Sequence, residues 1–521
     1  MGDASRRAQE PTAARGAARA TEPGDDGDST PTRAGLQETH TAYVFFVGER
    51  AYKCKKPVDL GFLDHTTVAA RRRTCARELA LNRRFAPDVY LGLAEFRGHD
   101  ATEPEPVLVM RRMATGRRLS ALVREGSAIE EPLRAVARQL AGWHARAPRG
   151  PQIDAQGDRD AVAARWAASF AEVAREPAAP EEVPEVERLV RRYLAGRRRL
   201  FDLRVAQRRL VDGHGDLLAE DVFCLPDGPR ILDCLEFDDQ LRYVDGLDDA
   251  AFLAMDLEHL GAPDAARVFL RHYSEFSGDP GPPSLCHHYV AYRAFVRAKV
   301  SLVQARQGAS GARAAARRLM ATAAHHLRSA AVGLTLVGGL PGSGKSTLAG
   351  ALADRLGATL LSSDRVRKEL AGVPADHPAT AGYGEGLYTP EWTARTYATL
   401  LERAGTLLAT GESVVLDATW VDAAQRAAAR DVAERATADL VALRCQAPQE
   451  VAAARLRARS GGVSDADAQI AENMAAAEAP WPEATTVDTS GALQVAVAQA
   501  LAAVRPSALD RDPPPAPTQR G

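Results

Sequence analysis

The segment 338–347, Gly-Gly-Leu-Pro-Gly-Ser-Gly-Lys-Ser-Thr, constrains the fold of this chain more than any other. It fits the phosphate-binding pattern G-x-x-x-x-G-K-[ST] without a mismatch. The apolar run 332–337 before it predicts a buried strand, and 346–356 after it predicts a helix. Such a loop binds an anion because backbone N–H groups and a helix N-terminus face it. The alternative is a glycine-rich turn that binds no nucleotide, and the motif in this context disfavours it.

The loop predicts ATP and Mg²⁺ as cofactors. We expect its glycines to let the backbone close around the phosphates and Lys345 to reach the terminal phosphates, where it also serves catalysis. Ser346 would supply a hydroxyl ligand to Mg²⁺. The residues predicted to bind the nucleotide are Gly339, Leu340, Pro341, Gly342, Ser343, Gly344, Lys345, Ser346 and Thr347.

The composition indicates a soluble globular protein of two or three domains. The chain has 521 residues, of which 45% are hydrophobic and 26% charged, with a formal net charge of −2. This balance predicts no strong attraction to nucleic acid or to an acidic membrane surface. No apolar run approaches the roughly 18 residues that span a bilayer. The sequence also predicts no secretory signal, and its six cysteines lack C-x-x-C spacing, so we expect a cytoplasmic protein.

Lysine is rare in this chain, with six residues against sixty arginines. A chain that otherwise prefers arginine uses lysine where a compact ammonium group suits the site better than a planar guanidinium. Lys345 is one such position. The cluster Lys53, Lys55 and Lys56 therefore points to a second site.

The pattern of apolar and polar residues divides the chain into four parts. We expect disordered tails at 1–35 and 506–521, where almost nothing can be buried. After residue 331 predicted strands alternate with helices, which indicates a parallel sheet covered on both faces. The predicted domains are 36–330 and 331–505, with no long linker between them.

Three segments behind the phosphate loop carry further candidate residues. Asp364 and Arg367 follow the second predicted strand, where Asp364 can take the proton of a hydroxyl and Arg367 can hold an anion. Asp417 ends the third strand and can hold Mg²⁺. Arg455 and Arg459 share a helical face and could neutralise the transferring phosphoryl group. The alternatives are a helix N-cap for Asp364, a structural carboxylate for Asp417 and a solvated helix face for the arginines.

The C-terminal half resembles the small P-loop kinases of the zeta-toxin, polynucleotide-kinase and gluconate-kinase type, a group of AAA-like ATPases. The resemblance rests on the phosphate loop, Asp364-x-x-Arg367, the strand end at Asp417 and the Arg455-x-x-x-Arg459 spacing. It implies an α/β P-loop kinase domain that transfers phosphate to a hydroxyl, with Asp364 as the base. Ala418 follows Asp417 where an AAA+ motor usually carries glutamate, so the motor interpretation is weaker.

A second constellation lies in the N-terminal half. Asp216 in His-Gly-Asp, Asp221 five positions on and Asp233 seventeen positions on match the spacing found in protein-kinase-like folds. There, the first residue meets the substrate hydroxyl and the other two hold metal. Upstream, Lys53 and Lys55 lie on one face of a predicted strand, and Glu78 lies on the helix after it. A strand lysine paired with a helix glutamate fixes the α- and β-phosphates in such folds; either lysine could serve.

This half is similar to the aminoglycoside phosphotransferases, which implies an α+β protein-kinase-like domain. The motifs are Glu38-Thr39-His40, the lysine cluster with Pro57-Val58, Leu81-Asn82-Arg83-Arg84 and His214-Gly215-Asp216. The whole chain resembles bacterial two-domain proteins that join such a domain to an ATP-binding P-loop domain, over about 36–505. No glycine-rich loop precedes the lysine strand, and Asp221 replaces the usual Asn. A kinase-shaped scaffold that binds a ligand without turnover is therefore the alternative.

Two further groups of residues could in principle bind a substrate or a metal ion, but the sequence favours a structural role for both. Tyr292, Arg293, Arg297 and Lys299 could meet an anionic substrate, although a solvated helix face is favoured. The adjacent histidine pairs at 287–288 and 325–326 lack the spacing of metal ligands.

The sequence thus predicts an ATP-dependent phosphotransferase acting on a hydroxyl of a small molecule. The competing hypothesis is an ATP-hydrolysing regulatory or signalling protein whose N-terminal half only binds a ligand or partner. Repair of nucleic acid by 5′-hydroxyl phosphorylation is disfavoured by the charge and by the lack of interleaved aromatic residues.

Overall fold

The computed structural model describes residues 35–39, 41–59, 64–98, 103–177, 179–374, 386–458 and 474–504. The predicted tails lie outside these ranges except for Gly35, and so do His40 and Arg459. Two compact units make up the described chain. Unit 1 contains the residues up to Leu189 together with Phe201–Gly281 and Cys286–Arg328, and unit 2 contains Val190–Leu200, Pro282–Leu285 and the residues from Ser329 onward.

Unit 1 begins with a five-stranded antiparallel sheet in the order β1-β2-β3-β5-β4. A tight turn joins β2 to β3 through Gly48, whose φ of 55° suits a residue without a Cβ. The strands are β1 Gly35–Glu38, β2 Ala42–Val47, β3 Arg50–Lys55, β4 Tyr90–Phe96 and β5 Glu105–Arg111.

Helix α1, Val68–Asn82, connects β3 to β4 and packs on β4 and β5. It starts at Thr67, whose hydroxyl accepts a hydrogen bond from the Ala70 N–H at 3.1 Å. The helices that follow β5 are α2 Leu119–Arg124, α3 Glu130–Arg146, α4 Pro151–Asp154, α5 Arg159–Val173, α6 Val183–Ala195, α7 Arg198–Ala206, α8 Gly246–His259, α9 Pro263–Ser277, α10 Pro283–Arg306 and α11 Ala312–Ser329.

Two small antiparallel pairs lie between α7 and α8, and they hold the polar loops of unit 1. One pair is β6 Leu210–Asp212 with β9 Tyr243–Asp245, and the other is β7 Val222–Leu225 with β8 Gly228–Ile231. An antiparallel sheet with a helix between its third and fourth strands, followed by these polar loops within a helical body, confirms the α+β protein-kinase-like fold class.

Unit 2 contains a five-stranded parallel sheet in the order β11-β12-β10-β13-β14. The strands are β10 Gly333–Gly338, β11 Thr359–Ser362, β12 Val414–Asp417, β13 Asp439–Gln446 and β14 Thr485–Asp488. The helices are α12 Lys345–Leu356, α13 Ser363–Leu370, α14 Pro390–Ala409, α15 Ala423–Arg435, α16 Gln449–Arg457 and α17 Leu493–Val504. The predicted α/β class with a parallel sheet is confirmed.

The core of unit 2 explains why its central strands are rich in apolar residues. Val337, Val415 and Leu443 of the three central strands are fully buried, and Leu348 and Leu352 of α12 pack against them. A parallel sheet with both faces covered needs such continuous apolar strands. Strand β10 lies at the centre of the sheet, with β11 and β12 on one side and β13 and β14 on the other. The strand order reverses at β10, and sheets of this kind bind ligands in the crevice beyond the carboxyl ends of the strands at that point.

Two short segments from the N-terminal part of the sequence belong to unit 2. The Arg197 guanidinium is buried and donates to the carbonyl oxygens of Leu408 at 2.8 Å and Ala436 at 2.9 Å. Ser284 Oγ donates to the Gly411 carbonyl at 2.7 Å. Leu408 and Ala436 lie at the C-terminal ends of α14 and α15, where carbonyl groups lack helical partners. Nothing in the sequence pattern indicated these contacts.

The helices of the described ranges include none with the length and apolar character needed to cross a membrane.

Candidate active sites

The phosphate loop of unit 2 is a tight main-chain cradle between β10 and α12. Gly339, Gly342 and Gly344 have φ values of 140°, 80° and 85°, a region that L side chains rarely adopt. A Cβ at Gly339 would lie 2.7 Å from Ser343 Oγ, and one at Gly342 would lie 2.6 Å from the Ala452 carbonyl oxygen. Gly339 and Gly342 are therefore required by both backbone angle and space, and Gly344 by backbone angle. Helix α12 begins directly after Gly344 with Lys345.

Thr489 and Arg455 support this cradle from outside the loop. Thr489 Oγ donates to the Ser343 carbonyl oxygen at 2.5 Å, and Arg455 Nη2 donates to the Thr489 carbonyl oxygen at 2.7 Å. Arg455 Nη1 is buried beside Gly344 without a partner among the described residues. Arg455 thus lies against the loop instead of on a solvated face. Thr489 was not found from the sequence, because only the end of β14 brings it here.

Asp417 brings together the groups expected to hold a metal ion. Its carboxylate accepts hydrogen bonds from the hydroxyls of Ser346 and Ser362, while its Oδ1 atom is buried without a partner among the described residues. Burial raises the pKa of Asp417, and the nearby Asp364 carboxylate adds to this, although the Lys345 ammonium opposes it. A carboxylate oxygen and a serine hydroxyl next to a phosphate cradle are suitable ligands for Mg²⁺.

Asp364 lies in the first turn of α13, and its charge acts on both Asp417 and Tyr397. Ser362 is the N-cap of α13, so the alternative that Asp364 caps the helix is wrong. Arg367, one turn later, is buried.

Arg367 contacts the 386–393 segment. It donates to the Leu387 carbonyl at 2.7 Å and to Thr393 Oγ1 at 3.2 Å, and its guanidinium lies 4.7 Å from the centre of the Tyr388 ring. These contacts hold that segment next to Asp364.

In unit 1 the two strand lysines lie on one face of β3, as predicted, and both contact Glu78 of α1. Lys53 Nζ is 2.7 Å from Glu78 Oε1 and 3.3 Å from Asp233 Oδ1. Lys55 Nζ is 2.6 Å from Glu78 Oε2 and 2.9 Å from Glu236 Oε1. The sequence left the choice between the lysines open and missed Glu236. The structure places Lys53 beside Asp233 and Lys55 deeper, beside Glu236.

Both lysines are held as ammonium ions. Burial alone lowers the pKa of Lys53, but nearby carboxylates, Asp233 first, outweigh burial and raise that pKa well above its ordinary value. The pKa of Lys55 is also raised, because Glu236 and Glu78 outweigh its burial. The cleft therefore keeps two cations at neutral pH.

Asp216 stands on a loop that Asp249 of α8 holds in place. Asp249 accepts hydrogen bonds from the backbone N–H groups of His214 at 2.7 Å and Gly215 at 2.9 Å, and from His144 Nε2 at 3.0 Å. Burial opposes ionisation of Asp249, yet the His144 bond and charge lower its pKa well below the ordinary carboxyl range. Asp249 and His144 were not found from the sequence, because each is an ordinary residue within a helical pattern.

Asp221 and Asp233, the two predicted metal ligands, lie on the polar segments on either side of the β7–β8 pair. Asp221 ends the 3-10 turn Ala219–Asp221, and its carbonyl accepts a hydrogen bond from the Leu232 N–H at 2.9 Å. Asp233 has a φ of 63° and donates its N–H to the Tyr90 hydroxyl at 3.2 Å. The charges of Asp216 and Asp233 both act on the buried His214 side chain, and Asp233 also contacts Lys53.

Comparison with known proteins assigns the chain to a family. A sequence model described as an AAA domain matches residues 334–480. The uncharacterized protein Rv2004c of Mycobacterium tuberculosis is 44% identical over 470 residues, which cover 89% of this chain and 94% of that protein. This chain belongs to the family of Rv2004c. The uncharacterized protein Mb2027c of Mycobacterium bovis matches with the same identity and coverage.

Solved structures match the two parts of this Rv2004c-family chain separately. A gluconokinase from Sinorhizobium meliloti covers 34% of this chain and 94% of its own, at 20% identity and a TM-score of 0.26. The GDP and kanamycin complex of APH(2")-IIia covers 59% of this chain and 94% of its own, at 14% identity and a TM-score of 0.35.

Three of the four residues singled out on α10, Tyr292, Arg293 and Lys299, pack against other helices of unit 1. Arg293 Nε lies 2.7 Å from Asp248 Oδ1, and Lys299 Nζ lies 3.0 Å from Glu172 Oε2, all largely buried. Tyr292 packs edge-on against Trp166, with ring centres 5.1 Å apart. The expectation of a solvated helix face is therefore wrong for these residues. The cause is that α10 is covered by other helices, which a sequence with few apolar residues on that face did not indicate.

Proposed function

We propose that unit 2 is an ATP- and Mg²⁺-dependent kinase that phosphorylates a hydroxyl group of a small molecule. The observation that carries this proposal is the Asp417 carboxylate. It accepts a hydrogen bond from Ser346 and lies near Lys345, beside the glycine cradle. One of its oxygens is buried without a partner among the described residues. A buried acidic oxygen without a partner is costly, and a cation ligated there would offset that cost.

Each residue then has one task. The main-chain N–H groups of the cradle and Lys345 bind the polyphosphate, and Ser346 and Asp417 hold the metal ion. Bound Mg²⁺ would neutralise charge on the phosphate oxygens. Asp364 takes the proton of the acceptor hydroxyl as its oxygen bonds to the γ-phosphorus and the bond from phosphorus to the bridging oxygen of ADP breaks.

The two arginines are assigned supporting tasks. Arg367 fixes the segment beside Asp364 and so shapes the acceptor site. Arg455 is proposed to supply positive charge next to Gly344, because one of its nitrogens is buried there without a described partner. Arg459, which is not among the described residues, would add a second positive charge.

We propose that unit 1 is a second nucleotide site. Lys53, fixed by Glu78, would bind the α- and β-phosphates, Asp221 and Asp233 would hold Mg²⁺, and Asp216 would act as the base. One observation favours the alternative that unit 1 binds a ligand without turnover. The β2–β3 hairpin turns tightly at Gly48, so it supplies no glycine-rich loop over the phosphates.

The test uses the full-length chain, ATP labelled at the γ-phosphate and a panel of small hydroxyl compounds. Wild type is compared with Lys345→Ala, Asp216→Ala and the control Lys56→Ala, whose lysine contacts the exposed Glu38. We expect Lys345→Ala to lower labelled product from unit 2 by roughly 10²–10³-fold, the usual effect of removing one charge that stabilises the transition state. Asp216→Ala should remove a different product.

Full activity in Lys345→Ala would disprove the proposal for unit 2. An identical product profile in Asp216→Ala would favour the ligand-binding alternative for unit 1. ATP hydrolysis without any acceptor product would favour a regulatory or signalling protein.

A further inference from the structure

Five charged side chains of alternating sign form a continuous chain in unit 1. They connect in the order Asp233, Lys53, Glu78, Lys55 and Glu236, with contacts of 3.3, 2.7, 2.6 and 2.9 Å. They come from three separate places in the sequence, namely β3, α1 and the loop after β8. Glu78 stands at the centre, and each of its two carboxylate oxygens faces a different ammonium group.

The burial of this chain of charges increases inward from Lys53. The Lys53 side chain is 15% exposed, whereas those of Lys55 and Glu78 are 1% and 0% exposed. A buried carboxylate that loses its cation is strongly destabilising. In a site that had Lys53 but no second lysine, Glu78 would lose part of its counter-charge when Lys53 bound a phosphate. Here Lys55 stays against Glu78, because Glu236 holds the other side of its ammonium group.

The loop that carries Glu236 is tied to α1 by a second, neutral contact. The Cys234 N–H donates to Asn82 Oδ1 at 2.9 Å, and Asn82 Nδ2 donates to the Glu78 carbonyl at 3.0 Å. Asn82 is fully buried. The position of Glu236 relative to Glu78 is therefore fixed by the backbone of both elements as well as by charge.

We propose that Lys55 and Glu236 are positioning residues that neutralise and orient Glu78, so that Glu78 keeps a full counter-charge while the Lys53 that it holds also binds the α- and β-phosphates. Lys55 does not touch the nucleotide in this arrangement. The inference rests on the proposed nucleotide site of unit 1. It implies that β3 and α1 are already in their binding arrangement without an activating partner or modification.

The test measures the binding of magnesium ATP to the full-length chain by calorimetry. All variants carry Lys345→Ala so that the phosphate loop of unit 2 does not contribute. We expect Lys53→Met to abolish measurable binding and Lys55→Met to weaken it by roughly tenfold, a coupling typical of neighbouring charges. The matched control is Lys56→Met, the adjacent lysine, which should bind within twofold of the parent.

A double-mutant cycle separates positioning from simple structural support. With Glu78→Gln the central carboxylate no longer needs a counter-charge, so adding Lys55→Met should change affinity by less than about twofold. A purely structural role predicts the same loss with and without Glu78. Thermal unfolding of each variant shows whether the chain is folded. If Lys55→Met does not fold, Glu236→Gln decides the question, with an expected loss of about two- to fivefold.

The outcomes distinguish this inference from the proposed function. If the Lys345→Ala chain binds no magnesium ATP, the nucleotide site of unit 1 is wrong and the inference falls with it. If that chain binds and Lys53→Met abolishes binding while Lys55→Met and Glu236→Gln leave it unchanged, the site stands and only the positioning role is overturned.

Discussion

The two candidate sites of this chain present phosphate-binding groups in opposite ways. In unit 2 the groups are the main-chain N–H donors and the Lys345 ammonium group of one continuous loop, 338–347, and the side chains of Thr489 and Arg455 hold that loop in shape. In unit 1 they are side chains from positions as far apart as Lys53 and Asp233, joined by ion pairs. A site of the first kind depends on local backbone geometry, whereas one of the second kind depends on the packing of the whole unit.

The largest effect should come from Asp249→Asn in unit 1. The substitution removes a buried charge that accepts from two backbone N–H groups and His144, so we expect the free energy of unfolding to fall by about 3–5 kcal/mol. Denaturant unfolding at pH 7 measures this, with Asp264→Asn as the control, since Asp264 is exposed. A loss no larger than in the control would show that the Asp216 loop does not depend on distant packing.

The pH dependence of the same variant has a definite sign. The pKa of Asp249 is lower in the folded chain than in the unfolded one, so its contribution is complete above the ordinary carboxyl range and is lost only as the pH falls through the lowered value. The difference in the free energy of unfolding between wild type and Asp249→Asn should therefore shrink as the pH falls below about 4, the ordinary carboxyl pKa.

The next largest effect should come from Gly342→Ala, which adds one methyl group to the phosphate loop. Gly342→Ala would force a left-handed residue against the Ala452 carbonyl, so we expect ATP affinity of unit 2 to fall by roughly 100-fold or more, equivalent to about 2.7 kcal/mol. Gly350→Ala is the matched control, because a Cβ there meets nothing within 4 Å. That change in mid-helix should stabilise α12 by about 0.5–1 kcal/mol. Equal affinities in the two variants would contradict a main-chain cradle.

A smaller loss is expected for Arg197→Ala. The guanidinium satisfies carbonyl groups at the ends of α14 and α15, and we expect unit 2 to lose about 2 kcal/mol of stability without it. Arg430→Ala, which removes an exposed pair with Glu483, should cost less than about 1 kcal/mol. Nucleotide affinity measured well below the unfolding temperature should be unchanged, because the cradle is local. A large loss of affinity would break the contrast between the two sites.

The smallest effect concerns the Mg²⁺ requirement of unit 2. Because the pKa of Asp417 is raised and a metal ligand must be deprotonated, protonation competes with the metal at a higher pH than for an ordinary aspartate. The Mg²⁺ concentration for half-maximal ATP turnover should rise by roughly threefold between pH 7 and pH 5. Asp417→Asn should abolish that slope, and Asp439→Asn should keep it. A flat profile in wild type would argue against Asp417 as a ligand.

The sequence predicted what is set by local rules. The alternation of strands and helices after residue 331 yielded every strand of the parallel sheet, and the loop 338–347 was found because all its groups are contiguous. The shared face of Lys53 and Lys55 followed from the two-residue period of a strand.

The groups that the sequence did not reveal act through contacts between distant residues. Glu236, Asp249 and Thr489 carry no motif of their own. Each becomes significant only when folding brings it against Lys55, His214 or Ser343. The burial of Arg293 was missed for a related reason, since an arginine on a helix reads as exposed until its partner Asp248 is placed beside it.

The segments Val190–Leu200 and Pro282–Leu285 bear on how the two proposed activities should be tested separately. A shortened gene beginning at codon 331 would encode the whole parallel sheet and yet omit Arg197 and Ser284, leaving carbonyl groups of unit 2 without their donors. Low stability or solubility of such a truncated protein would then reflect the loss of these structural contacts and would say nothing about its activity. Point substitutions in the intact polypeptide are the sounder route to assigning each reaction.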